Sequence, residues 1–72
     1  RRAARIGLPA AQIRVAKLYM AGIGVEPDPV SAAAWTIRAR RGGLNDAAMD
    51  DFINGLTDEQ VRRALEKSNG VM

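Results

Sequence analysis

The sequence predicts an all-α chain, an α/α solenoid of paired helices with a C-terminal helical cap. Three observations carry this reading. Apolar residues recur at helical spacing in four segments, and Gly, Pro, Asp and Thr signals separate them. Residues 1–11 are echoed 36 positions later. The first two helices also carry two apolar strips each, where a surface helix of a lone globular domain carries one. Two strips call for two neighbours, as in the middle of a stacked array.

The first helix is predicted over 9–21. Pro9 suits the first helical position, where its missing N–H costs nothing. Ala11, Val15, Leu18 and Gly22 form its main face, with Ile13 and Met20 as a second strip roughly opposite. The run Gly22-Ile23-Gly24-Val25 breaks it, since glycine takes left-handed conformations cheaply. A second helix over 29–41 opens on Asp28 as N-cap with Pro29 in the first turn. Ala32, Trp35 and Ala39 share one face, and Val30, Ala34 and Ile37 the other. Arg38, Arg40 and Arg41 crowd its last turn, before Gly42-Gly43. A third helix over 46–54 follows Asn45 or Asp46, places Met49, Phe52, Ile53 and Leu56 on one face, and stops at Gly55. The fourth, over 58–68, has the fullest signals. Thr57 and Gln60 make a capping box, and Leu56 with Val61 a hydrophobic staple. Acids stand in its first turn, Lys67 in its last, and Asn69-Gly70 closes it. Its expected buried face is narrow, Val61, Ala64 and Leu65, with Glu59/Arg63 and Arg62/Glu66 as supporting pairs.

The 36-residue offset gives six identities in positions 1–11 against 37–47: Arg2 with Arg38, Ala3 with Ala39, Arg5 with Arg41, Gly7 with Gly43, Leu8 with Leu44 and Ala11 with Ala47. Residues 1–6 therefore read as the tail of a preceding second helix, 7–43 as one full repeat, and 44–72 as a degenerate repeat with capping helices. From Gly7 to Gly43 the signature runs Gly7, Ala11-Gln12, Val15, Leu18-Tyr19, Gly22-Ile23-Gly24-Val25, Asp28, Ala32, Trp35, Ala39 and Gly43. This pattern resembles the Sel-one-like repeat, a relative of the tetratricopeptide repeat. The second half departs from it. Ala48 stands where Gln is wanted, and Asn54-Gly55 where Leu-Tyr would recur. Terminal units of such arrays are atypical because their outer face meets water.

Composition limits the chemistry. Seventy-two residues allow one small domain, and the alanine-rich apolar share promises a thin core. There is no Cys, so no disulfide or thiolate metal site, and no His, so no His-based triad, shuttle or ligand. No run of 18 apolar residues exists to span a membrane. Ser31 and Ser68 have no base within helical reach. Asp46, Asp50 and Asp51 lack the spacing of a calcium loop and read as acids near a helix N-terminus. Gly22-Ile23-Gly24-Val25 lacks the preceding strand and the Lys-Ser/Thr of a phosphate-binding loop. Trp35 and Tyr19 could stack on bases, but their signature positions favour core packing. A DNA-reading helix-turn-helix is excluded by the long connection and by the alanine-rich opening of the second helix.

The resemblance implies a non-catalytic scaffold or adaptor, as in bacterial envelope and signalling proteins or adaptors of membrane-associated complexes. It needs no cofactor. It would hold a protein or peptide along a concave face and contact neighbouring repeats of its own chain, with no specific nucleic acid. Since the first helix of each pair lines that face, Ile13, Arg14, Lys17 and Met20 are the candidate partner-binding residues. For Ile13 and Met20 the competing role is packing against a preceding repeat. The alternative function starts from charge. Residues 1–42 carry eight cations against two acids, and residues 43–72 three against six. Arg1, Arg2, Arg5, Arg14, Arg38, Arg40 and Arg41 could thus bind nucleic acid or another anionic partner, although cations at helix C-termini also follow from the dipole alone.

Overall fold

A computed structural model describes residues 8–70 and holds four helices and no strand among them. They are α1 (Pro9–Ala21), α2 (Pro29–Arg41), α3 (Ala47–Asn54) and α4 (Asp58–Asn69). Every predicted boundary falls within one residue of these. The expectation that residues 1–6 continue an earlier helix lies outside the described residues.

The local signals act as their chemistry dictates. Pro9 opens α1, and Gly22 closes it at φ +73°, with its N–H donating to the Leu18 carbonyl at 2.8 Å. A Cβ at Gly22 would also stand 2.5 Å from Pro27 Cγ, so both backbone conformation and space demand glycine. The loop then turns back, and the Asp28 N–H donates to the Tyr19 carbonyl at 3.0 Å. The Asp28 carboxylate caps α2, accepting from the Ser31 N–H at 3.0 Å and the Ser31 hydroxyl at 2.8 Å. These bonds, the one from the Ser31 N–H foremost, hold the Asp28 pKa below its ordinary value. Asp46, not Asn45, caps α3 by accepting from the Met49 N–H at 3.1 Å. The capping box of α4 is complete: Thr57 Oγ1 accepts from the Gln60 N–H at 3.1 Å, and the Thr57 N–H donates to Gln60 Oε1 at 3.0 Å.

α2 is the central element. It packs most extensively on α1, then on α4, and more lightly on α3. α1 and α2 run antiparallel, since the end of α2 meets the start of α1. A Cβ on Gly42 would lie 2.7 Å from Pro9 Cγ. The two apolar strips of α2 serve two neighbours. Ala32 and Ala39, flanked by Trp35, join Ile13 and Ala16 of α1 and Met49 of α3. Ala33, Ala34 and Ile37, flanked by Val30, join Ala64 of α4, with Ile53 and Leu56 against them. Alanine supplies most of the fully buried positions, which lets helix backbones approach closely at a small gain of buried area per residue.

Three face assignments need correction. α1 turns Gln12, Ile13 and Ala16 inward, with Tyr19 beside them, rather than the Ala11-Val15-Leu18-Gly22 face. Ala16 and Gln12 carry little or no apolar weight in a pattern count, yet the small Ala16 is what fits against Ala32 and Ala39. The second strip of α1 is therefore split, with Ile13 in the core and Met20 outside. Trp35 and Tyr19 both pack against the α1–α2 cluster, while Leu18 is solvent-facing. On α4 the inward residues are Ala64 and Ser68, with Val61 half-buried, and Leu65 is 43% exposed. Of the expected charge pairs on that helix, Arg63–Glu59 forms at 3.3 Å, and Arg62 and Glu66 form none among the described residues.

Candidate interaction surface

With one side of α1 committed to α2, the apolar residues of its other side have nothing to cover them among the described residues. Leu8, Leu18, Met20, Ile23 and Val25 are all substantially exposed, and all belong to α1 or its flanking loops. The one other large exposed hydrophobic among the described residues is Leu65, on α4. Contiguous exposed apolar surface is the usual mark of a contact face.

The gathering has shape. An open depression of about 410 Å³ runs along the outer side of α1, bordered by Ile13, Arg14, Lys17, Leu18, Met20 and Ile23. All four residues singled out by sequence, Ile13, Arg14, Lys17 and Met20, lie on it. They do not contribute equally. Ile13 is 6% exposed and belongs to the core, so it offers the floor an edge rather than a contact. Met20 is 39% exposed and Ile23 64%, so both offer apolar surface to a partner, Ile23 the more. Arg14 is exposed. Lys17 reaches Asp46 at 3.2 Å and so ties the rim to the N-cap of α3. The Asp46 pKa is held below its ordinary value, first by the Met49 N–H and then by Lys17.

Sequence reasoning missed Leu18 and Ile23 as surface residues, and Gln12 as a buried one. The signal for Ile23 was legible. An isoleucine between two glycines in a turn has no helix face to join, so it packs elsewhere or stays exposed. Leu18 was placed inward with the Ala11-Val15-Gly22 strip, whereas the face that packs carries Gln12, Ile13 and Ala16.

The other chemical candidates have occupations of their own. The Arg38 guanidinium lies 5.8 Å from the Trp35 ring centroid, within cation–π reach. Arg40 is bonded to Asp50. Trp35 and Tyr19 are half-buried against the α1–α2 core. The Ser68 hydroxyl donates to the Leu65 carbonyl at 2.8 Å, and Ser31 serves the α2 cap. Among the described residues no group of acids is placed to hold a metal ion, and no helix is long and apolar enough to cross a membrane. Arg1, Arg2 and Arg5, part of the basic alternative, lie outside the described residues.

In comparisons with protein-family models, curated proteins and solved structures, the chain matches none.

Proposed function

We propose that this chain is a non-catalytic protein–protein interaction module, a stretch of a Sel-one-like α/α solenoid that holds a protein or peptide partner on the outer side of α1. The observation that carries this is the concentration of exposed apolar side chains on α1 and its loops, arranged around a concavity. Burying Leu18, Met20 and Ile23 against a partner would yield about 25 cal/mol for each Å² of apolar surface removed from water. The antiparallel α1–α2 pair joined by a glycine turn is the unit from which such solenoids are stacked, and the two-faced α2 suits that role. The basic-surface alternative draws less support, because Arg38 and Arg40 are engaged within the chain.

Panning a displayed library of random peptides against the 72-residue chain tests the reading. Binders should weaken on Met20→Ser and Ile23→Ser, both exposed positions, with circular dichroism confirming that each variant is folded. Binders that ignore both substitutions would overturn it.

A further inference from the structure

We infer that the occupant of the α1 depression is an amphipathic helix with acidic residues flanking its apolar face, supplied by another protein. This deepens the interaction reading above and rests on it. Three properties of the site specify the partner.

The first is charge. The border combines apolar Leu18, Met20 and Ile23 with two cations, Arg14 and Lys17, and no carboxylate lines it among the described residues. Arg14 forms no ion pair among the described residues, so its charge is open to a partner. Lys17 is half-exposed even while it touches Asp46, and a single ammonium with three donors can serve a second carboxylate. A partner with its own cations at these positions would meet like charge, which disfavours it against an acidic one.

The second is backbone chemistry. α1 is a regular helix with its N–H and C=O groups paired internally, so it offers no row of free groups for strand addition. What it offers is relief. Ile13 and Lys17 form one i, i+4 ridge and Arg14 and Leu18 the next, and the space between such ridges takes the ridge of another helix.

The third is concavity. A depression of about 410 Å³ receives side chains from a folded ridge. A lipid surface is met by protruding residues, and of the large apolar residues on the border only Ile23 is more than half exposed. The geometry therefore favours a peptide over a membrane.

Two labelled peptides of about 16 residues, enough for a helix slightly longer than α1, distinguish the outcomes. Both carry leucine at i, i+3, i+4 and i+7, and one is flanked by glutamates, the other by lysines. Fluorescence anisotropy against the 72-residue chain should show the glutamate peptide binding about tenfold tighter, with that gap shrinking at high salt. Arg14→Glu should erase the preference, and Met20→Ser should weaken both peptides, with circular dichroism confirming that each variant is folded. Equal binding, or tighter binding of the lysine peptide that still depends on Met20, would overturn the acidic assignment while leaving the interaction surface standing. Binding of neither peptide overturns it too, and library binders indifferent to Met20 and Ile23 would then remove the surface as well. Ile23-dependent binding to phosphatidylcholine–phosphatidylglycerol vesicles, with no discrimination between the peptides, would reassign the patch to lipid.

Discussion

Gln12 carries a buried side-chain oxygen that finds no hydrogen-bond partner among the described residues. The residue is 6% exposed. An unsatisfied buried acceptor costs about 1–3 kcal/mol, and an apolar side chain of similar shape avoids that cost. Gln12→Met should therefore stabilise the chain by about 1 kcal/mol in urea denaturation, and a loss of stability would mean that the amide is engaged. Trp35 is a different case, since it is half-buried and shares its ring with Arg38. Trp35→Ala should cost about 2 kcal/mol, below the roughly 3–5 of a fully buried aromatic. Its emission should be blue-shifted relative to free tryptophan but quenched in part by iodide.

At the scale of elements, helix faces and caps make separate demands. Ala16 and Ala33 are fully buried at the two seams of α2, whereas Leu18 is exposed. Ala16→Leu should therefore destabilise by about 1–3 kcal/mol through overpacking, while Leu18→Ala stays within about 0.5. The face predicted from apolar periodicity alone would give the reverse order, so the pair of variants decides the register of α1. The caps add a pH dependence. Asp28 and Asp46 both have pKa values lowered in the folded chain. Their stabilisation is thus fully present above the ordinary aspartate pKa of about 3.9 and is lost as pH falls through the lower folded values. The melting temperature should be level above about pH 5 and fall below about pH 4. Asp28→Asn keeps a capping oxygen but removes the titration, so its acid slope should be shallower. An unchanged slope would assign the effect to other carboxylates.

For the whole molecule, α2 is the element on which the others lean, and the core around it is mostly alanine. Such a core buries little area per residue, so stability should be modest and the circular dichroism strongly helical. Charge has a whole-molecule consequence too. Arg38 and Arg40 are occupied, and acids dominate after residue 43. Random duplex and single-stranded oligonucleotides should therefore bind weakly at low salt and be released as salt rises, with a log–log slope near −0.9 for each duplex phosphate contacted. Submicromolar affinity at physiological salt would make the basic residues the working surface.

Sequence alone determined where each helix begins and ends, because those boundaries rest on neighbours in the chain: Pro9, the Asp28-Pro29 start, Gly22, Gly55, and the Thr57-Gln60 box each act within one turn. It also determined that α2 has two apolar faces, whereas Met49, Phe52, Ile53 and Leu56, expected on one face, divide between the two seams: Met49 and Phe52 join the α1–α2 cluster, Ile53 and Leu56 the α2–α4 cluster. The tertiary structure decided which side of α1 turns inward and that Leu65 and Leu18 stay outside. It also decided that Leu18, Met20 and Ile23 border one depression with Arg14 and Lys17. The reason is physical. Periodicity offers two candidate faces on α1, and the choice between them falls to the close approach of α1 to α2, where Ala16 is small enough to let the backbones meet over Ala32 and Ala39.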